Sequence, residues 1–302
     1  MRVGLTGASG LIGAATAAAL RERGDSVVTF VRPGTAAPTG ETIRWDPAAD
    51  ILDDDDLRRV GGLDAIINLA GAGIGDRRWS ADRKALILQS RLASTALVVR
   101  AIQGLPSGVG VLASASAIGY YGSRGAERLD ETSTSGDDFL AHVCRSWEDA
   151  AQPASDLGTV VSTLRTGIVL SGAGGALKRQ LPLFKAGLGG ILGDGRQWIS
   201  PISLVDEVRA ILSLVDQPHV GPVNLTAPDQ VTNRDFTRAL ARALKRPAVL
   251  RVPAFALALV LGTDLARGAV LASQRVEPAI LLERGFRFTH PTTTEMLGAA
   301  LR

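Results

Sequence analysis

The segment Thr6-Gly7-Ala8-Ser9-Gly10-Leu11-Ile12-Gly13 puts a glycine at every third position, directly after a short apolar run and directly before an Ala-rich helical pattern. Glycine serves where a backbone turns sharply or comes close to a phosphate, and a helix start supplies N–H donors and positive potential. Strand, spacing and helix in that order predict a loop that cradles a dinucleotide pyrophosphate, built from Thr6, Gly7, Ser9, Gly10, Leu11, Ile12 and Gly13. A second strand ends Phe30-Val31-Arg32, where such folds place the residue facing the adenosine ribose. An acid there favours NAD, whereas Arg32 offers a planar fork to a 2′-phosphate and points to NADP (NADPH); the plainer reading is a solvated strand-end arginine. Asn68-Leu69-Ala70-Gly71 reads either as an Asn-stabilised turn or as a wall of the ligand crevice. Ser114, Ser116, Tyr120 and Tyr121 form a hydroxyl cluster after a fifth strand, suited to orienting a substrate and moving a proton; equally, the tyrosines are packing aromatics with ordinary partners.

These groups share a crevice only if repeated βα units bring them there. Short β-branched runs at 2–6, 26–31, 42–45, 65–69, 109–114 and 159–166 alternate with helical patterns at 11–23, 53–60, 81–102 and 138–156. That alternation predicts a parallel sheet with helices on both faces. After residue 170 come Gly-rich loops, 171–175 and 187–190, and helices at 204–216 and 233–244, while 218–225 reads as a strand returning to the main sheet. The expected class is α/β: a Rossmann-type doubly wound parallel sheet over 1–170, rejoined by 204–226, with a smaller interleaved C-terminal substrate lobe from 171–203 and 227–302. Its glycine loops are expected to act as hinges.

Composition narrows the function. With 46% hydrophobic and 21% charged residues and a net charge of only +3, the chain has core-forming capacity and no basic run, so no nucleic-acid partner is expected. A lone Cys144 excludes an internal disulfide, and Met1 to Leu5 lack the apolar stretch of a signal peptide, so a cytoplasmic protein is expected, monomer or homodimer. The apolar run 253–262 is about half the length needed to cross a bilayer and reads as a buried helix, so no membrane partner is expected. Cys144, His142 and Glu148 fall at helical spacing, but one cysteine and one nearby histidine do not make a metal set; no metal site is expected. The run Asp53 to Asp56 opens a helix, where carboxylates complement the dipole.

Thr6 to Gly13, Asn68 to Gly71 and Ser114-Ala115-Ser116-Ala117-Ile118-Gly119-Tyr120-Tyr121-Gly122 make the chain resemble an atypical extended short-chain dehydrogenase/reductase. More narrowly it is similar to the NAD(P)-dependent epimerase/dehydratase-like (sugar nucleotide epimerase-like) family with its own C-terminal domain of unknown function. The narrower likeness rests on Asp76-Arg77-Arg78-Trp79, Ser90-Arg91, Gly136-Asp137-Asp138-Phe139-Leu140, Trp147-Glu148, Leu164 to Leu170, Gly193 to Trp198 and Ser273 to Val276, and it runs the whole length. It implies that Asn68 to Gly71 line the cofactor near the adenosine and pyrophosphate, that Thr166, Gly167 and Ile168 approach the nicotinamide, and that Ser116 orients substrate. The family's Tyr-x-x-x-Lys pair, in which lysine lowers the tyrosine pKa for proton exchange, is missing. If Glu148 matches the acid that follows that lysine in relatives, Leu140 and Cys144 hold the two positions.

A tyrosine near bound cofactor and Arg124 would be tuned downward by positive charge, so proton transfer is assigned to Tyr120 or Tyr121, with Tyr121 preferred for its match to the superfamily's Tyr-Gly pair. Loop 193–200 and the Arg77-Arg78-Trp79 turn are expected to face the crevice from opposite sides, Trp79 acting as a lid. Two functions stay open: an NADP(H)-dependent oxidoreductase or epimerase-like enzyme acting on an unidentified small molecule, and a catalytically reduced NADP(H) binder serving as sensor or structural protein. Arg32→Asp is expected to weaken NADPH binding about ten- to a hundredfold and NADH far less, matching a charge-assisted pair of about 1.5 to 3 kcal/mol; fluorescence titration with both cofactors checks it.

Overall fold

The computed structural model describes residues 1–35 and 40–302. The chain opens with β1 (Arg2–Thr6), α1 (Leu11–Glu22), β2 (Ser26–Val31), β3 (Thr42–Asp46), β4 (Ile51–Leu52), α2 (Asp54–Val60), β5 (Ala65–Asn68) and α3 (Ala81–Gly104). There follow β6 (Val111–Ala117), a 3₁₀ turn at Ile118–Tyr121, β7 (Arg128–Leu129), α4 (Phe139–Ala151), β8 (Val160–Thr166), β9 (Ile168–Leu170) and α5 (Gly175–Lys185). The remainder is β10 (Gly190–Leu192), β11 (Trp198–Ile199), β12 (Pro201–Ser203), α6 (Leu204–Asp216), β13 (Gly221–Leu225), β14 (Val231–Thr232) and α7 (Asn233–Leu244). It closes with β15 (Leu250–Val252), α8 (Ala254–Leu261), α9 (Thr263–Leu265), a π turn at Ala266–Val270, β16 (Arg275–Val276), α10 (Ala279–Glu283) and α11 (Thr293–Ala300).

Eight strands form one sheet in the order β13-β8-β6-β5-β1-β2-β3-β4, parallel throughout except for the β3–β4 pair. The doubly wound Rossmann-type sheet is therefore present, and strand order reverses between β1 and β5, where such sheets open a crevice at their carboxyl edge. Alternate residues feed two cores. Val3, Leu5, Ala65, Ile67 and Ala113 meet α1 and α6 on one face, while Val28, Phe30, Ile66 and Leu112 meet α2 and α3 on the other. α3 is long and apolar enough by composition to span a bilayer, yet its Leu97, Val98, Ala101 and Ile102 pack into the second of these cores. A third core joins Leu177, Leu181 and Phe184 of α5 to Phe236 and Leu240 of α7 and Met296 and Leu297 of α11.

Several local expectations need correction. Asp53 is the cap of α2 rather than its first residue, its carboxylate accepting from Asp56 N. The helix predicted to 156 stops at Ala151 and tightens into 3₁₀ structure from Gln152, because Pro153 supplies no N–H. β6 starts later and runs to Ala117, since pairing with β8 as far as Ala117↔Thr166 overrides the weak strand preference of Ala and Ser. The apolar run read as a buried helix is α8, where only Leu257 is buried and Phe255, Leu259 and Val260 are 75%, 73% and 68% exposed. A helix apolar all round has no preferred inward side, and this one lies at the periphery.

The Gly-rich loops also make close contacts. Gly172 N donates to Ala300 O at 3.0 Å, Gly174 lies against Leu11, and Gly189 sits on the Phe184 ring. Side chains there would collide, so Gly172 lets α11 approach β9, Gly174 lets the start of α5 approach α1, and Gly189 lets the chain fold back on Phe184 of α5 itself. A Cβ at Gly172 would stand 2.5 Å from Ala300 O. Gly172→Ala is expected to cost about 1 to 3 kcal/mol, read as a lowered urea midpoint with an unchanged m-value.

Candidate functional site

At the carboxyl edge, the Thr6 side chain is spent inside the protein. Its hydroxyl donates to Asn68 Oδ1 at 2.8 Å and accepts from Leu69 N at 2.9 Å and Ala70 N at 3.1 Å. Asn68 Nδ2 donates to Thr95 Oγ1 at 3.0 Å and lies 3.4 Å from Ser114 Oγ, and Trp147 Nε1 also donates to Thr95 at 3.0 Å. Thr6, Asn68 and Ser114 thus shape the crevice from below. What they present is backbone: the turn from Leu69 to Gly71, held by Ser94 Oγ on Ala70 O and Ser90 Oγ under Ala72 N.

Across from that turn, Gly7 adopts φ +67°, and a Cβ on it would stand 2.8 Å from Leu69 O; a Cβ on Gly13 would stand 2.2 Å from Gly7 O. The loop and α1 can approach only because both are glycine. Gly10 caps α1 with no side chain, and α1 has no acid in its first turn. Ser9 and Gly10 are exposed, Leu11 and Ile12 half-buried. By contrast α2, α3, α4, α6, α7 and α11 are capped by Asp53, Ser80, Asp138, Ser203, Thr232 and Thr292. The α1 start, like that of α5 at Gly174, has no side-chain cap, but it follows β1 directly at the strand reversal, where open N–H donors are what a pyrophosphate cradle requires. Arg32 stands exposed just past β2, with no side-chain hydrogen bond among the described residues.

The hydroxyl cluster is arranged otherwise than expected. Ser116 Oγ donates to Glu148 Oε1 at 2.6 Å, and Glu148 receives Arg165 Nε and Nη2, each at 2.9 Å. Arg165 Nη1 also donates to Tyr121 Oη at 3.0 Å, and its guanidinium covers the Tyr120 ring at 3.4 Å. Tyr121 donates to Asn224 Oδ1 at 2.7 Å and is fully buried. Burial pushes its pKa up to about 12 against the opposing pull of Arg165 and Asn224. The expected downward tuning by Arg124 is therefore corrected: Arg124 pairs with Glu127, and Tyr121 is a core hydroxyl. Tyr120 is half-buried beneath Arg165. Cys144 is buried and its pKa raised to about 12, chiefly by burial and then by Glu148, as suits a small apolar side chain.

Thr166, at the end of β8, turns to the opposite face and donates to Glu207 Oε1 at 2.8 Å; Gly167 N and Ile168 N are taken by Leu225 O and Ser200 O. Glu207 is fully buried, its second carboxyl oxygen has no partner among the described residues, and burial pushes its pKa up to about 8. Trp79 is no lid: it is buried against Phe139, Leu140 and Leu265 and donates to Ile74 O. Trp198 is half-buried, with the Arg275 guanidinium 4.1 Å from its ring. The sequence assigned no site role to Thr95, Arg91, Arg165 or Glu207. Arg91, Arg165 and Glu148 stood within motif stretches, but only tertiary contact reveals that the last two neutralise each other.

Residues 3–142 match the NAD dependent epimerase/dehydratase family, and residues 252–300 match a domain of unknown function. An epimerase family protein of Mycobacterium tuberculosis is 44% identical over 99% of this chain and 97% of its own length. The crystal structure of human epimerase family protein SDR39U1 (isoform2) with NADPH superposes with a TM-score of 0.89 at 30% identity, covering 99% of each chain. That of a nucleoside-diphosphate sugar epimerase from Corynebacterium glutamicum superposes at 0.79 with 34% identity, covering all of this chain and 58% of that one.

Because Glu207 binds its proton more tightly folded than unfolded, it removes stability as pH rises from its ordinary value of 4.5 towards about 8. The slope approaches one proton, about 1.4 kcal/mol per pH unit. Thermal melts between pH 5 and 8 should show this decline in the wild type and a clearly flatter profile in Glu207→Gln.

Proposed function

The chain belongs to the NAD-dependent epimerase/dehydratase family, and on that premise we propose that it binds NADPH along the carboxyl edge of its sheet, beside a crevice for a small molecule. The observation that carries this is the α1 start: a glycine cap with open donors, beside Gly7 and Gly13, where a Cβ would close the cradle. The NADPH held by the human relative supports the cofactor, and the exposed Arg32 supplies the guanidinium suited to a 2′-phosphate. When bound, NADPH supplies reducing equivalents. The backbone from Leu69 to Gly71 walls its path, and Thr166 to Ile168 flank its far end.

The geometry best supports a protein that holds NADPH without the family's usual proton relay. Tyr121 is buried, Tyr120 is half-buried with its ring against the Arg165 guanidinium, and Leu140 and Cys144 are packed apolar side chains. A second reading, reduction or epimerisation of a small molecule, is favoured by the Ser116–Glu148 contact, which aims a hydroxyl with a carboxylate behind it at the end of β6. Titration should give NADPH at least about tenfold tighter than NADH; equal affinities would sink the cofactor assignment. Incubation with a panel of carbonyl and hydroxyl metabolites separates the readings. No NADPH oxidation supports the first; turnover abolished by Ser116→Ala establishes the second. Tyr121→Phe should leave NADPH affinity unchanged and cost about 1 to 3 kcal/mol of stability, by stranding Asn224 and Arg165.

A further inference from the structure

α3 carries Arg83 and Arg91, and both reach the loop after β5: Arg83 Nη2 donates to Gly73 O, and Arg91 Nη1 to Ala72 O at 3.0 Å. The loop holds one carboxylate for these cations, Asp76, which Arg83 meets at 3.4 Å and Arg179 at 2.6 Å. Arg91 has no carboxylate among the described residues. Its half-buried guanidinium rests on two backbone carbonyls, Ala72 O and Ile87 O, and on the Trp147 ring at 4.7 Å. Its Nε and Nη2 donate to nothing among the described residues, and Arg83 Nε is buried and likewise unpartnered. A guanidinium partly removed from water without a counter-charge is costly, and the same group binds a carboxylate or phosphate strongly.

The position of Arg91 says which anion this is. By bonding Ile87 O, the side chain turns back along α3 towards the carboxyl edge, and it lies against the exposed Gly71, where a Cβ would stand 3.3 Å from Arg91 Cγ. Its charge is felt by the Cys144 thiol, which adjoins Ser116 and Ala117 at the end of β6. The pyrophosphate, in contrast, is provided for by α1 on the other side of the strand reversal. Building on the NADPH reading above, we propose that Arg91 is the oxyanion receptor of the crevice, so that the small molecule bound beside the cofactor carries a carboxylate or phosphate group.

The test titrates the full-length, NADPH-loaded chain and the cofactor-free chain with oxalate and with inorganic phosphate, against chloride at matched ionic strength, by calorimetry. Saturable binding of either anion is expected, weakened at least about tenfold in Arg91→Met and largely kept in Arg91→Lys. NADPH affinity should be the same in all three. Where Arg91→Met fails to fold by circular dichroism, Arg91→Gln takes its place. A response no greater than that of chloride, or equal in wild type and variant, overturns the proposal. So does a variant that loses NADPH affinity while keeping 2′,5′-ADP affinity, which would assign Arg91 to the nicotinamide half of the cofactor. A wild-type chain that binds oxalate through Arg91 but no NADPH would refute the cofactor reading and leave the receptor standing.

Discussion

The hydroxyl of Thr6 is the joint on which the crevice is built. In one position it donates to Asn68 and accepts two successive amides, locking the end of β1 to the turn that leaves β5. Asn68 passes the constraint to Thr95, and Thr95 to Trp147, so two strands and two helices share one buried polar column. Buried polar atoms in such a chain are held in place by the cost of leaving any of them unpaired. The exposed backbone at the rim therefore has a fixed shape, although the side chains that fix it are buried and spent on one another.

Charge is handled differently on the two sides of the sheet end. Towards α4, Arg165 and Glu148 meet through two parallel hydrogen bonds with Ser116 and Tyr121 attached, and every strong donor has an acceptor. Burial alone would lower the Arg165 pKa, but Glu148 and Tyr121 hold it above its ordinary range. Towards α3, Arg83 and Arg179 of α5 share Asp76, and Arg91 has no carboxylate among the described residues. The first arrangement is electrically closed, whereas the second leaves the Arg91 guanidinium without a counter-charge among the described residues.

Much of this was legible in the sequence because local pattern and tertiary role coincide. The spacing of Gly7, Gly10 and Gly13 is a backbone requirement that a string of letters records directly, and β1, β2, α6 and α7 start and stop where apolar period and cap residues say. The family resemblance likewise predicted the epimerase/dehydratase match and the separate C-terminal domain. The tyrosines were not legible. Whether Tyr121 meets Arg124 or Arg165 depends on which strand lies beside β6, a contact between residues 44 positions apart. Nor does an unbroken apolar run such as α8 encode which side faces inward, and the close contacts of the loop glycines emerge only once their neighbours across the fold are known.

Asp206 and Glu207 stand side by side at the start of α6, both fully buried, and are treated oppositely. Glu207 has one hydroxyl for company and keeps its proton. Asp206 would be raised by burial too, but amides of Thr289 and His290, with Ser203 and Arg209, outweigh that and hold it ionised below its usual range. Those two amides arrive from the far end of the chain. Without residues 289 and 290, Asp206 would lose both amide donors and keep only Ser203 and Arg209 as partners. The C-terminal segment thus takes part in the charge balance of the sheet domain, since a carboxylate at the start of α6 owes two of its donors to residues more than eighty positions downstream.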